Sequence, residues 1–269
     1  MGAVEERTAT LRSGLTLPYA EVGDPGSSVP VVLVHAYVET WRYFEPVLRA
    51  LPSSVHAFAP TLRGHPSVQG LVTGYQVSDL VSDVVDFLDA VGLPRVVLAG
   101  ASSGGLVCQH VATSHPDRVA GLVLVSSPVS LGDKPGVLAM AEEIRALADP
   151  VDRHFVERFV RATSPDAMPD DVVTRLVDGS ASIPATVWRQ ALDGLLDAAP
   201  APLERVRTRT LLLSGSDDRI VGDDQQLLLD RIPGAELVTY DGVGHGPHLS
   251  HPGRVAADLV TFLQRRPSA

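Results

Sequence analysis

Cysteine and lysine are almost missing from this sequence. A single thiol, Cys108, excludes an intramolecular disulfide and a cysteine-based zinc cage, since each needs at least two. It is expected to be a small buried hydrophobe. A single lysine, Lys134, in a chain with 22 basic and 32 acidic side chains and a formal charge of −10, leaves no basic face for a phosphate backbone. Nucleic acid is excluded as an expected partner. Also missing is any apolar run of the roughly 20 residues that span a bilayer, because glycine, serine or proline interrupts each candidate. No membrane partner is expected. The stretch Met1 to Leu15 carries Glu5, Glu6, Arg7 and Arg12 and lacks the apolar core of a secretion signal, so the expected location is the cytoplasm.

What is present is ordinary for a globular protein: 269 residues, 45% hydrophobic and 20% charged. That length allows one large domain or two small ones, and it buries roughly three quarters of the unfolded surface. Short β-rich runs lie at Val29–Val34, Val55–Pro60, Arg95–Gly100, Val119–Ser126, Thr210–Ser214 and Ala235–Tyr240. Several are almost continuously apolar, as central parallel strands are. Helical spacing fills the gaps, at Glu39–Leu51, Tyr75–Val91, Ser103–His115, Asp223–Arg231 and Pro252–Arg265. The clearest helix has Val77, Leu80, Val81, Val84, Val85, Leu88 and Val91 on one face. Its other face carries Asp79, Asp83, Asp86 and Asp89, expected to be solvated. Gly92-Leu93-Pro94 closes it.

Alternating strand and helix predicts an α/β fold, a mostly parallel central sheet flanked by helices on both faces. Thr8–Leu11 and Leu15–Glu21, around Ser13-Gly14, predict an antiparallel hairpin at one edge. The alternation breaks over 129–203, where four helical patterns (Pro135–Ala148, Val151–Ala162, Pro169–Asp178 and Pro184–Ala198) replace the strands. The expected division is a core domain of 1–128 and 204–269 with an inserted helical cap of 129–203. Met140, Phe155, Phe159 and Trp188 are candidate substrate contacts in the insert; a role in holding the insert together competes for each.

Gly100-Ala101-Ser102-Ser103-Gly104 joins an apolar strand to a helix. Such a context makes G-x-S-x-G a sharp turn that lifts the serine oxygen above the sheet. Ser102 is therefore the candidate nucleophile, and the helix N-terminus offers unpaired amides, the Ser103 N–H first, to a developing oxyanion. A glycine-rich turn with Ser102 as helix cap is the competing reading. The Ser103 side chain is expected to point away from the apex of the turn.

Together with two further stretches, this elbow resembles the α/β-hydrolase family from about Leu15 to Leu263. His35-Ala36-Tyr37, after the strand at Val31–Val34, is similar to the family's His-Gly-x oxyanion loop, and the resemblance implies the Tyr37 N–H as the second oxyanion donor. Ala36 replaces the usual glycine and narrows the approach to a bound carbonyl. His35 is expected to shape this loop through hydrogen bonds; with Ala36 it is a candidate substrate-side residue. Ser214-Gly-Ser-Asp-Asp218 resembles the strand end that carries the triad acid, implying Asp218, with Asp217 the near rival. Gly244-His245 falls where the family places its general base. His245, His248 and His251 lie in a Gly/Pro loop without zincin spacing or a neighbouring glutamate, so no metal is expected. His248 and His251 are expected to satisfy backbone groups or begin the last helix. Arg63-Gly-His-Pro66 is similar to a family turn that borders the site, and a plain surface turn is the alternative.

The resemblance implies acyl transfer: cofactor-free hydrolysis of a carboxylic ester or lactone of a small, mainly hydrophobic molecule through Ser102. A serine at the elbow argues against the dehalogenases and epoxide hydrolases of the family, which place an aspartate there. Hydrolysis of a C–C bond in a β-diketone-like compound, or a small-molecule receptor that retains its triad, remains open. The sequence is silent on oligomeric state.

Overall fold

Residues alternate across the central strands, and each set meets its own layer of helices. A computed structural model describes residues 4–26, 29–70, 74–164, 168 and 170–265. Its strands are β1 (Glu5–Thr10), β2 (Thr16–Val22), β3 (Val31–Val34), β4 (Ala57–Pro60), β5 (Val96–Ala101), β6 (Val119–Val125), β7 (Thr210–Gly215) and β8 (Glu236–Tyr240). They form one sheet in the order β1-β2-β4-β3-β5-β6-β7-β8. β1 and β2 make the expected hairpin, with Thr8 opposite Pro18, and β2 runs antiparallel to β4. From β4 to β8 every pairing is parallel.

Val32, Val34, Leu98, Leu122, Leu124 and Leu212 face one layer, which contains α2 (Val77–Ala90) and α3 (Ser103–Ser114). Val31, Leu33, Val97, Ala99, Val123 and Leu213 face the other, with α1 (Glu45–Ala50) and a long C-terminal helix at Pro252–Gln264. A period of two thus buries both faces of the parallel strands. Cys108 lies in the first layer, fully buried and unpaired, where burial pushes its thiol pKa up.

Between β6 and β7 come α4 (Pro135–Arg145), α5 (Arg153–Ala162), α6 (Asp170–Ala181) and α7 (Ala185–Leu196). Ile144, Phe155, Val160, Leu176, Trp188 and Leu192 close a third apolar cluster among them. The remaining helices are α8 (Asp224–Arg231), the single turn α9 (Pro247–Ser250) and α10 (Pro252–Gln264). No helix among the described residues is long and apolar enough to cross a membrane.

Two local expectations need correction. The helix expected from Glu39 starts later, because Thr40 is extended and its hydroxyl accepts from the Arg42 N–H, capping a 3₁₀ turn at Trp41–Phe44 before α1. Asp83 is not solvated. It is 1% exposed and takes two hydrogen bonds from Arg63, so the 63–66 turn is anchored in the interior.

Candidate active site

β5 ends at Ala101 and α3 begins at Ser103, leaving Ser102 alone to reverse the chain. Its backbone sits at φ 47°, ψ −123°, a conformation that costs a non-glycine residue on the order of 1–3 kcal/mol. Close approach of the flanking backbone makes the reversal this sharp. A Cβ on Gly104 would lie 2.3 Å from the Val34 oxygen, and one on Gly100 would lie 2.5 Å from the Gly104 oxygen. The Ser102 N–H donates to the Val125 carbonyl at 2.9 Å, fixing the apex at the C-terminal rim of the sheet.

Two more strands deliver groups to that rim. Asp218 follows β7, His245 follows β8, and His245 Nδ1 lies 2.9 Å from Asp218 Oδ2. The other carboxylate oxygen accepts from the Ile220 N–H at 3.0 Å and the Val221 N–H at 3.3 Å. Burial alone would raise the Asp218 pKa, but the bond to His245, its charge and the Ile220 amide outweigh that and hold the pKa below its ordinary value. An ionised carboxylate only accepts, so Nδ1 carries a proton, and in the neutral ring Nε2 is then the acceptor. The rival Asp217 is exposed and takes the Ser216 hydroxyl instead. Ser102 and His245 line one cavity of about 560 Å³.

The loop after β3 is pinned at several points. His35 Nε2 accepts from the Leu62 N–H at 2.9 Å, so its Nδ1 carries the proton and donates to the Ala36 carbonyl at 2.8 Å. Burial lowers the His35 pKa to about 4 and keeps the ring neutral. The Ala36 N–H donates to Glu39 Oε2 at 2.8 Å. The Tyr37 N–H donates to Ser103 Oγ at 2.8 Å, and the Tyr37 hydroxyl donates to the Trp188 carbonyl. Two expectations change here. The Tyr37 amide is already committed to a side chain, and the Ser103 hydroxyl turns toward the loop. The Ser103 N–H, at the first position of α3, has no backbone acceptor among the described residues.

Of the candidate substrate contacts, Ala36, Met140 and Phe159 line the large cavity, together with Val137, Ile144 and Leu192. His35, Phe155 and Trp188 do not. His35 borders a separate space of about 50 Å³ behind the loop. Phe155 and Trp188 meet edge to face at 5.7 Å and are spent on the interior of the helical segment. Glu39 and His248 also line this cavity, although the sequence offered neither as a substrate contact. Burial raises the Glu39 pKa to about 8, partly offset by the Ala36 amide. Burial and the neighbouring His245 lower that of His248 to about 3. Contrary to expectation, neither ring nitrogen of His248 has a hydrogen-bond partner among the described residues; the ring packs on Phe44 at 5.0 Å. His251 does sit at the head of α10. Among the described residues no cluster of three or more His, Cys, Asp or Glu side chains is placed to hold a metal ion.

Strand order, and a serine elbow that shares a cavity with the histidine of an Asp–His pair, define the class, and comparison with known proteins assigns the family. The sequence profile of the alpha/beta hydrolase family matches residues 31–258. This chain belongs to the alpha/beta hydrolase family. It is 25% identical to Epoxide hydrolase A of Mycobacterium tuberculosis, over 98% of each chain. It is 28% identical to the pimeloyl-[acyl-carrier protein] methyl ester esterase of Neisseria meningitidis, over 89% of this chain and 95% of that one. Among solved structures, esterase RhEst1 of Rhodococcus sp. superposes with a TM-score of 0.83 at 26% identity, covering 96% of this chain and 98% of that one.

Proposed function

We propose that the protein is a serine hydrolase that cleaves a carboxylic ester or lactone of a small, mainly hydrophobic molecule. The observation that carries this reading is the 2.9 Å bond between His245 Nδ1 and a buried, ionised Asp218, with Ser102 on the same cavity. The acid fixes the tautomer in which Nε2 can take a proton. Ser102 Oγ gives its proton to Nε2 as it attacks the carbonyl carbon, and the C=O electrons move onto oxygen. Collapse of this intermediate breaks the C–O bond, and His245 returns the proton to the leaving alcohol. Water, deprotonated by the same nitrogen, then releases the acid and restores Ser102.

The relatives include both an epoxide hydrolase and a methyl ester esterase. Serine at position 102 favours the ester, because an acyl-serine is the intermediate that an Asp–His pair resolves with water. α4, α5 and α7 contribute apolar wall through Met140, Ile144, Phe159 and Leu192, so residues 129–203 act as a cap over the bound acyl or alcohol group. A space of about 560 Å³ is in the ordinary range for small-molecule sites.

A second reading, cleavage of a C–C bond in a β-diketone-like compound, draws support from Glu39 and His248, polar groups beyond the triad that could meet a carbanion. The deciding experiment is a panel of p-nitrophenyl esters, lactones and β-diketones, with a fluorophosphonate probe for Ser102. Repeated turnover of esters or lactones, lost in Ser102→Ala, supports the first reading. Exclusive turnover of β-diketones replaces it with the second, and labelling without turnover points to a receptor.

A further inference from the structure

A backbone oxyanion hole needs amides aimed at the reacting oxygen, and one of the two expected here is aimed elsewhere. The Tyr37 N–H ends on Ser103 Oγ at 2.8 Å. Its loop is not free to swing, since the neighbouring Ala36 carbonyl and amide are held by His35 and Glu39. On the far side, Val38 is locked at φ 52° and its carbonyl accepts from Ser180 Oγ at 2.9 Å.

Ser103 is 4% exposed and lines the large cavity beside Ser102. Its oxygen accepts the Tyr37 amide, while its own hydroxyl proton has no acceptor among the described residues. A hydroxyl that accepts one hydrogen bond is polarised to donate a second more strongly. A buried O–H beside the nucleophile, with its oxygen held and its proton unspent, is a donor awaiting an acceptor.

We propose that the Ser103 hydroxyl donates a hydrogen bond to the oxyanion formed at Ser102. The Ser103 N–H supplies the other donor, so one residue serves the hole through both its side chain and its backbone. Tyr37 acts through Ser103 as a positioning residue. No bond is made or broken in this step; the Ser103 proton stays on its oxygen while charge accumulates on the substrate oxygen. The inference rests on the acyl-transfer reading above.

The test uses the full-length enzyme, a p-nitrophenyl ester that the wild type turns over, and the variants Ser103→Ala and Ser103→Thr. Loss of one oxyanion donor lowers kcat by about 10²-fold with KM little changed. Ser103→Thr, which keeps the hydroxyl, restores most of that loss. A Ser103→Ala enzyme with wild-type or higher kcat overturns the proposal, because the side chain would then only be blocking the Tyr37 amide.

A crystal structure of the wild type phosphonylated at Ser102 gives an answer even if Ser103→Ala does not fold. The phosphonyl oxygen should lie about 2.5–3.0 Å from Ser103 Oγ. Finding it on the Tyr37 N–H with the Ser103 side chain displaced overturns the assignment. If the wild type neither turns over an ester nor takes the phosphonate, the hydrolase reading itself fails and this proposal goes with it. An active, labelled wild type with an unaffected Ser103→Ala removes only the role of Ser103.

Discussion

Arg63 and Asp83 face each other in a two-pronged ion pair, Nε to Oδ2 at 2.6 Å and Nη2 to Oδ1 at 2.7 Å, with both side chains almost entirely out of water. Arg63 Nη1 also donates to the Gly74 carbonyl at 2.8 Å, so one guanidinium ties the turn after β4 to α2 and the segment that enters it. Removing the acid would leave this guanidinium buried without its partner. Asp83→Ala is therefore expected to lower stability by about 3–5 kcal/mol. The double variant Arg63→Met/Asp83→Leu should lose less than the single one, because no charge is stranded. Urea denaturation of the three proteins checks the ordering, and a single variant within about 1 kcal/mol of the wild type would show the pair to be solvated.

Gly104 bears on fold and chemistry together. A Cβ there would lie 2.3 Å from the Val34 oxygen and 2.4 Å from the His35 oxygen, both backbone atoms that cannot turn aside. Gly104→Ala must push α3 away from the end of β3, shifting Ser102 relative to the His35–Tyr37 loop. Overpacking of this kind costs about 1–3 kcal/mol or more, and small displacements of reacting groups can cost about 10² in rate. A folded Gly104→Ala protein is expected to have a lower melting temperature and a still larger loss in kcat. Wild-type values for both would show that the backbone relaxes without moving the elbow.

The sequence displays what is local and hides what depends on distant partners. β5 is legible because Val96 to Ala101 is apolar throughout, and a strand buried on both faces has no other composition. Asp218 and His245 stand out only through the family resemblance, since the local pattern of a glycine-marked loop after a strand leaves Asp217 as a rival. The bond from the Tyr37 amide to Ser103 is not legible, since it joins residues 66 positions apart and depends on how closely two loop backbones approach. For Asp83 the helical period assigned the outer face, but an arginine 20 residues earlier covers it. Trp188 and Phe155 were legible as buried, though periodicity could not say whether they face a cavity or each other. Glu39 gave no signal as a cavity residue because its place depends on the chain folding back to bring its carboxylate onto the Ala36 amide.

Glu39 yields a pH dependence of stability. Its carboxyl binds a proton more tightly in the folded protein, with a pKa of about 8, than in the unfolded chain, where glutamate titrates near about 4.3. Stability tied to the neutral form is fully present below the unfolded pKa and is lost as pH rises through the folded pKa. Glu39→Gln keeps a neutral side chain at every pH and can still accept the Ala36 amide. The melting temperature of the wild type should therefore fall more steeply between about pH 5 and 9 than that of Glu39→Gln. Parallel curves would show that Glu39 is ionised throughout.

Asp218→Asn separates the electrostatic role of the acid from its structural one. An asparagine oxygen can still accept from the Ile220 and Val221 amides, which hold the loop after β7. Its amide, however, presents N–H to His245 Nδ1, making Nδ1 the acceptor and moving the ring proton to Nε2. A ring protonated there cannot take the Ser102 proton. If the proposed acyl transfer operates, kcat should fall by about 10⁴-fold with KM and melting temperature close to wild type. Asp217→Asn, which removes an exposed carboxylate whose one hydrogen bond among the described residues comes from the Ser216 hydroxyl, should leave turnover unchanged. Steady-state kinetics on one p-nitrophenyl ester measures all three proteins. Equal losses in the two variants would mean that the cavity responds to net charge at this loop, and His245 would then owe its basicity to something other than its bond with Asp218.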